Sequence, residues 1–513
     1  MLRYTTLGSK IILGVFFILT ALAAYLPFLE AFALTPLIAF VHRFSITLNI
    51  GDSTKTLQPI VFVIPILLTK AIFEYSKRHS LLLLLKSKLT LVIVFLSLID
   101  FVAIITSTSK GASLGILLTH WMSLAVFATA TIWLTLLTEM LTKDTLKKTA
   151  IRLVRTFVIA LALFTFINTV VSVTQFVDCS TQNPGTGCTV WKAIDETFPN
   201  KLLLVGHQKF SYKPNIIRAP GFFGDVNFNG MFSLVMVIIF GTLLITTILL
   251  REQKDYPAKK EKLFYSLTIA AALISYALTF SRSALLGAGV VGIILLAIYF
   301  IPLSKRLGKM KAIVSTSFKF FTITILCAGL LFTAGYAVPL THNGRTTSLS
   351  REMTRYVQNM FNPNEKSAQG HADLFESAVK IGNQRPLTGM GMGTFGVEYE
   401  RLIRPGGGTN ASPHSTYGLL YAEQGLVGVF GYTAVIILFW ALSIKSLKKI
   451  IELILTLRKS EKKLNKETYY LLMSQLVLSL IGIGIPFFSV ATITYYGFFL
   501  PMTWWWGNKE LLY

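Results

Sequence analysis

Charged residues are scarce in this sequence: they make up 14% of its 513 residues, whereas 53% are hydrophobic. A soluble protein of this length needs more polar surface than this composition supplies. The strict alternation of apolar and polar residues that a membrane β-barrel requires is also missing. The composition therefore excludes a soluble protein and a membrane barrel, and it predicts helices in a bilayer.

Cysteine is nearly absent as well, with three residues in the whole chain. Cys179 and Cys188 flank an Asn-Pro-Gly sequence that is typical of a turn, and they could form a small disulfide in an oxidising compartment. Two free thiols are the alternative. The bridge would be a structural feature and not a catalytic one, and the third cysteine, Cys327, lies in a predicted membrane span.

Acidic residues are half as numerous as basic ones, 24 against 48, which gives a formal net charge of +24. In a soluble chain this excess would suggest nucleic-acid binding. Many of the Lys and Arg residues, however, lie in short loops beside apolar runs, where they hold those loops in the cytoplasm. We therefore expect no nucleic-acid partner. The acidic residues do not cluster with the spacing of a divalent-metal site, and we expect no metal and no cofactor.

Long apolar segments are the most prominent feature of the sequence. Ile11 to Leu29, Leu234 to Leu250 and Ala284 to Ile301 are nearly free of charge and about as long as a bilayer core is thick. Backbone in hydrocarbon must satisfy its own hydrogen bonds, so such runs predict helices. The first run is too long for the core of a signal peptide and no cleavage site follows it, which predicts a permanent span.

The basic clusters predict how often the chain crosses the membrane. Six clusters are assigned to the cytoplasm, so an even number of spans must separate each from the next. They lie at Arg3 and Lys10, Lys77 to Lys88, Lys143 to Arg155, Arg251 to Lys262, Lys305 to Lys311, and Lys445 to Lys466. Twelve spans satisfy this parity: 11–29, 57–75, 89–107, 113–141, 153–176, 229–250, 263–280, 284–303, 315–338, 417–443, 469–488 and 489–506. The apolar stretch 31–47 would break it and is predicted to be an interfacial or re-entrant helix.

The predicted fold is an all-α polytopic membrane protein of about twelve transmembrane helices with two large external loops. Its parts are an N-terminal bundle of about five spans (1–176), a first external loop (177–228), central helices (229–339), a second external loop (340–416) and C-terminal helices (417–513). Long structured loops in a membrane protein are disproportionately functional.

The first loop ends in a compact motif at the entrance to a span, Arg218-Ala-Pro-Gly-Phe-Phe-Gly-Asp225-Val-Asn227. A guanidinium presents a planar donor fork suited to phosphate, and a helix that begins here would add its N-terminus. The alternative is that basic residues of this loop meet lipid headgroups. Arg282, in a short turn between two predicted spans, has the same two interpretations.

The second loop contains Arg385-Pro-Leu-Thr-Gly-Met-Gly391-Met-Gly, whose three alternate glycines could let the backbone approach a ligand. His414 follows at the start of a span that carries Glu423. A histidine at the membrane face suits general-base work on a sugar hydroxyl, although a capping or packing role is the alternative.

Two ionisable residues lie inside predicted spans. Asp100 and His120 are each about ten residues from the turn near Lys110, so on a helical hairpin they would lie at similar depth and could pair. Such residues are functional candidates, and a structural interhelical bond is the alternative.

Taken in order, these motifs resemble those of the O-antigen ligases and O-antigen polymerases, polytopic transferases that use undecaprenyl-linked glycans. His414-Ser415, nine residues, Gly425, two residues and Gly428 match the ligases' histidine signature in full. The Arg218 motif, Ser281-Arg282-Ser283 and the Pro-Leu-x-Gly-x-Gly segment after Arg385 are similar to other family motifs. Arg385, ten residues and Gly396 fit a spacing of the polymerases.

One position departs from the family pattern. His371 stands where the family often has an arginine ahead of the Pro-Leu segment. If that arginine binds pyrophosphate, His371 would do so only when protonated, or Arg385 has taken over the role.

The resemblance implies metal-independent, inverting glycosyl transfer at the outer face of a bacterial cytoplasmic membrane. The donor would be a glycan on undecaprenyl pyrophosphate, and the acceptor a glycan, lipid or protein hydroxyl among membrane lipids. His414, Arg218 and Arg282 would be catalytic. Substrate would contact the residues His371, Arg385, Asp225, Asn227, Gly391 and Glu423.

Two other classes remain as alternatives. Twelve spans also suit a secondary transporter, but carriers tend to show internal repeats, and no two halves of this sequence resemble each other. A scaffold protein without catalysis would tolerate loss of all the named arginines.

Overall fold

The structure is a computed structural model of the chain. It describes residues 7–34, 46–50, 53–57, 60–86, 88–142, 144–181, 218–219, 221–223, 226–249, 258–279, 281, 284, 289, 292–293, 295–302, 308, 339–342, 345–348, 350–351, 354, 358, 366–406, 413 and 415–459. Three predicted spans (315–338, 469–488 and 489–506) lie outside these residues. The proposed disulfide does too, because Cys188 is not among them.

Most of the described residues are helical. The helices, numbered in chain order, are α1 (Leu7–Tyr25), α2 (Phe28–Ala33), α3 (Ile60–Ser76), α4 (Leu81–Leu85), α5 (Lys88–Ile105), α6 (Lys110–Thr142), α7 (Asp144–Thr181), α8 (Val226–Leu249), α9 (Ala258–Thr279), α10 (Lys366–Gly382), α11 (Phe395–Leu402) and α12 (Thr416–Lys459). A 3₁₀ turn covers Gly221–Phe223 and a π turn covers Leu296–Phe300.

Four of the described helical segments are long and apolar enough to cross a membrane: Lys148–Phe176, Asn229–Ile248, Lys260–Thr279 and Thr416–Leu438. They coincide with the predicted spans 153–176, 229–250, 263–280 and 417–443. Thr90–Ile105 is a shorter apolar helix. The helical class is confirmed, with four candidate membrane-spanning helices among the described residues, and the total of twelve spans stays a prediction.

Two short hairpins add β-structure that the sequence interpretation did not include. Strand β1 (Ile46–Ile50) pairs antiparallel with β2 (Ser53–Leu57), and β3 (Pro339–His342) pairs with β4 (Arg345–Ser348). The predicted helix over 31–47 is therefore replaced at its end by the start of β1. Gly51-Asp52 and Asn343-Gly344 connect the strand pairs in sequence, and both dipeptides are typical of two-residue hairpin turns.

The chain divides into two compact units. The first comprises Met1–Ile66, Met140–Phe361 and Lys448–Val477, and the second comprises Leu67–Glu139, Asn362–Leu447 and Leu478–Tyr513. Predicted site residues fall in both units.

In the first unit, the spanning helices α7, α8 and α9 pack through apolar and small polar side chains. The rings of Phe240 on α8 and Tyr265 on α9 lie 6.0 Å apart between centroids. The Thr169 hydroxyl of α7 donates to the Ala271 carbonyl of α9 at 2.8 Å. Hydroxyls that bond to backbone allow polar residues to be buried in an apolar helix pair.

In the second unit, α10 and α11 pack against the beginning of α12. Ala378, Ile381, Met390, Phe395 and Ala422 form its buried apolar cluster. Residues 366–406 of the predicted second loop are therefore folded, with two helices that share a core with the beginning of α12.

Candidate functional site

Arg218 lies in the first unit, between the end of α9 and the start of α8, with its side chain half-buried. Its Nε donates to the Thr279 carbonyl at 2.8 Å, and one terminal nitrogen lies 3.5 Å from Asn227 Oδ1. The Ser281 hydroxyl also donates to Asn227 Oδ1, at 3.1 Å. The structure thus brings Arg218 and Asn227 together, as predicted from their motif, and adds the backbone end of α9 as a support.

Buried side-chain amides bind the backbone that follows Arg218. Gln175 Oε1 accepts from the Gly221 N–H at 2.9 Å, and Gln175 Nε2 donates to the Gly221 carbonyl at 3.2 Å. Asn168 Oδ1 accepts from the Phe222 N–H at 3.0 Å. Asn229 Nδ2 donates to the Ala219 carbonyl, also at 3.0 Å.

The same amides bind one another and two serines. Asn168 Nδ2 donates to Asn229 Oδ1 at 2.7 Å and lies 3.1 Å from Ser275 Oγ. Asn229 Nδ2 also donates to Ser172 Oγ at 3.0 Å. We call Asn168, Ser172, Gln175, Asn229 and Ser275 the amide cluster. All five side chains are at most 1% exposed.

The sequence interpretation missed the amide cluster, although a signal was present. Asn168, Ser172 and Gln175 follow one another at intervals of four and three residues in an otherwise apolar span. Residues at that spacing lie on one face of a helix. A polar face on a membrane helix indicates an interior partner.

The second unit contains the glycine segment, Pro386 to Gly393, which lies along α12. The Met390 and Gly391 N–H groups donate to the Ala422 and Glu423 carbonyls, each at 2.9 Å. In the opposite direction, the Leu426 N–H donates to the Pro386 carbonyl at 2.8 Å. The segment therefore forms backbone hydrogen bonds with the helix on both sides of Gly425.

Gly425 interrupts α12 with φ 63° and ψ −158°, a conformation that essentially only glycine adopts. A Cβ at Gly425 would overlap the Leu387 carbonyl. The carbonyls and amides freed by the break need other partners in an apolar environment. The glycine segment supplies those partners.

The three alternate glycines all make close backbone approaches within the protein. A Cβ at Gly389 would overlap the backbone of Glu423, and one at Gly391 would overlap Ser107. A Cβ at Gly393 would lie 2.5 Å from Ile116. These contacts give the glycines a packing reason, and the predicted ligand contact of Gly391 stays a prediction.

Glu423 is buried and caps α11. Its carboxylate accepts from the Gly393 N–H at 2.8 Å and from the Phe395 N–H at 3.1 Å. A carboxylate at a helix N-terminus is stabilised by the helix dipole and the unpaired N–H groups there. Its predicted contact with substrate stays a prediction beside this role.

Asp100 and His120 are paired in the second unit, so this prediction is confirmed. His120 Nδ1 lies 3.4 Å from Asp100 Oδ1, and both residues are buried. The same carboxylate oxygen accepts from Tyr432 at 3.1 Å and from Gln424 Nε2 at 3.3 Å. Both partners belong to α12, so the pair is part of the contact between α12 and the α5–α6 hairpin.

The predicted second-loop ligands are exposed. His371 lies on the exposed face of α10. Arg385 follows the same helix, and its guanidinium donates to the Thr106 carbonyl at the end of α5. Three further predicted site residues, Asp225, Arg282 and His414, lie outside the described residues. Their flanking residues Val226, Ser281, Pro413 and Ser415 are described.

Residues 267–433 match the sequence profile of a family described as O-antigen ligase. The resemblance to O-antigen ligases is thereby confirmed. No curated protein matches the chain. The match covers the predicted site residues Arg282, His371, Arg385, Gly391, His414 and Glu423. Arg218 and the rest of its motif precede the ligase match, as does most of the amide cluster.

The matched segment is therefore similar to O-antigen ligases, and four of the described helical segments are long and apolar enough to cross a membrane. Within the part of the chain that the structure describes, no group of three or more His, Cys, Asp or Glu residues could hold a metal ion.

Proposed function

We propose that the protein is a glycosyltransferase of the bacterial cytoplasmic membrane. It moves a glycan from undecaprenyl pyrophosphate to an acceptor hydroxyl at the outer face. The observation that carries this proposal is the match of residues 267–433 to the O-antigen ligases, which includes the full histidine signature from His414 to Gly428.

In the proposed reaction the acceptor hydroxyl oxygen attacks the anomeric carbon of the donor sugar. The bond from that carbon to the pyrophosphate oxygen breaks, and undecaprenyl pyrophosphate leaves with the bonding electrons. The hydroxyl proton passes to neutral His414. Attack opposite the leaving group inverts the anomeric centre. No metal is required if cationic side chains stabilise the negative charge that develops on the leaving group.

Arg218 is the described residue best suited to that last role. Hydrogen bonds to Thr279 and Asn227 fix its guanidinium, so little reorganisation is needed when charge develops. Arg282 follows Ser281, which bonds to the same Asn227, and we propose it as the second cation. His371 or Arg385 would supply a third.

The chemical class of the acceptor decides whether the protein would be a ligase or a polymerase. With a lipid, glycan or protein hydroxyl as acceptor the protein is a ligase, and with a second lipid-linked glycan it is a polymerase. The spacing from Arg385 to Gly396 favours the polymerase as the second candidate. A secondary transporter is the alternative of another class.

The test is transfer by the purified protein from an undecaprenyl-pyrophosphate-linked glycan to each class of acceptor in turn. We expect product with one acceptor class and loss of most of it in His414→Ala, with the variant still folded and inserted. Near-normal transfer by His414→Ala would show that the histidine is structural and the mechanism wrong. Uptake of a labelled solute by vesicles that survives His414→Ala would instead favour the transporter.

The pH dependence of transfer separates the two histidines. A base must be neutral, so transfer should fall as pH drops through the range in which histidine becomes protonated. If protonated His371 binds pyrophosphate, transfer should also fall as pH rises. His371→Arg should then remove only the alkaline limb of the profile.

A further inference from the structure

The backbone after Arg218 lies among spanning helices, yet it is not part of any regular ladder. Ala219, Gly221 and Phe222 are buried. Backbone groups away from water must find partners, because each one left unpaired costs free energy comparable to a lost hydrogen bond. Here each of the three residues bonds to a side-chain amide of the amide cluster.

Gln175 makes the most specific of these contacts. Its carboxamide both accepts from and donates to Gly221, as a paired backbone strand would. Gly221 has φ 57°, and a Cβ there would overlap Asn168 Oδ1. This conformation therefore requires glycine at this position, and the Gln175 carboxamide satisfies both backbone groups of Gly221.

The other side of the motif is held by α9. The Ala219 N–H donates to the Leu278 carbonyl at 2.9 Å, one residue before Thr279 accepts from Arg218 Nε. Arg218 is thus fixed between the end of α9 and a turn whose conformation depends on the amide cluster. A small rotation of the turn would move the guanidinium, since Ala219 is its direct neighbour.

We propose that Gln175, Asn168 and Asn229 are positioning residues for Arg218. They hold the Ala219–Phe222 backbone so that the guanidinium is preorganised for the pyrophosphate, and they do not contact the substrate themselves. This inference rests on the proposed function of Arg218 as a ligand of the leaving group.

The perturbation is Gln175→Met, which keeps the size of the side chain and removes both hydrogen bonds to Gly221. Thr165→Val is the matched control, because Thr165 is equally buried on α7 and its hydroxyl donates only to Leu161 of the same helix. We expect Gln175→Met to lower kcat about tenfold with little change in donor KM, since an interaction made mainly in the transition state is weakened. Thr165→Val should leave both constants unchanged.

A double-mutant cycle separates positioning from general support of the fold. If Gln175 acts through Arg218, adding Gln175→Met to the Arg218→Ala variant should not lower kcat any further. An equal loss of kcat in both backgrounds would overturn the proposal, because a residue that only stabilises the unit would act whether or not Arg218 is present.

Amide hydrogen exchange tests the geometry without relying on activity. The Gly221 and Phe222 N–H groups should exchange faster in Gln175→Met and at the wild-type rate in Thr165→Val. Unchanged exchange in Gln175→Met would show that the amides do not hold the turn, and the positioning proposal would be wrong. Faster exchange combined with full transfer by Arg218→Ala would instead show that the proposed function of Arg218 is wrong.

Discussion

Replacing Gly425 by alanine should destabilise the protein, and the sign of the effect is diagnostic. If α12 were continuous at this residue, alanine would stabilise it by about 1 kcal/mol, since it is the better helix former. In the observed conformation, with φ 63° and ψ −158°, alanine is strained by about 1–3 kcal/mol. The added methyl group would also overlap the Leu387 carbonyl, and overpacking of this kind costs about 1–3 kcal/mol more.

The expected total is a loss of about 2–6 kcal/mol in the free energy of unfolding. Thermal unfolding of the purified protein in detergent measures it as a lower midpoint. Gly115→Ala is the control: Gly115 lies in α6, and a Cβ there would meet nothing within 4 Å. That variant should be neutral or slightly stabilised. A Gly425→Ala midpoint equal to or above that of Gly115→Ala would refute the break in α12 and the role assigned to the glycine segment.

Three further predictions concern charged residues. Arg218→Lys keeps the charge but loses the planar donor fork and the Nε bond to Thr279. The rate of transfer should therefore fall at least about tenfold, which corresponds to roughly 1.4 kcal/mol of transition-state stabilisation. Full activity of this variant would show that Arg218 only contacts lipid headgroups. Asp100→Ala leaves three buried polar partners without their acceptor. It should lower the free energy of unfolding by about 3 kcal/mol, whereas His120→Ala should lower it by about 1 kcal/mol, both measured by thermal unfolding. Equal losses would contradict the role of Asp100 as the shared acceptor. A reporter fused at Asn364 should lie outside the cytoplasmic membrane and one at Lys259 inside, and an internal reporter at Asn364 would overturn the proposed orientation of the site.

The features that sequence predicted well are those that depend on local composition. The spans over α7, α8, α9 and α12 follow from apolar runs alone, because hydrocarbon leaves the backbone no alternative to a helix. The pairing of Asp100 with His120 followed from equal distances to one turn, which a helical hairpin converts into equal depth. Neither inference needed a distant contact.

The hairpins were missed for a different reason. Asn343-Gly344 is among the strongest short signals for a hairpin turn, and its flanking residues alternate only weakly in polarity. The strands β3 and β4 have only four residues each, too few for an alternation of apolar and polar residues to indicate a strand. Only the turn dipeptide was informative for this hairpin. The helices of residues 366–406 were similarly hidden in a segment rich in glycine.

The sequence predicted which residues belong to the candidate site at Arg218, but it did not predict which residues they contact. The motif at Arg218 identified the guanidinium and Asn227, whereas its carbonyl partner Thr279 lies 61 residues away in sequence. The amide cluster is likewise built from three helices. Such contacts arise from tertiary packing, and a single sequence carries no direct signal for them.

The break at Gly425 gives a structural reason for the number of residues that precede it in α12. The residues from Thr416 to Gln424 form one short helical segment of about 13 Å between the predicted base and the break. In that segment the carbonyls of Ala422 and Glu423 must face the glycine segment, and the Glu423 carboxylate must face α11. One inserted residue would turn these groups by about 100° and lengthen the segment by about 1.5 Å. The number of residues between Thr416 and Gly425 is therefore fixed by the contacts that hold the second unit together.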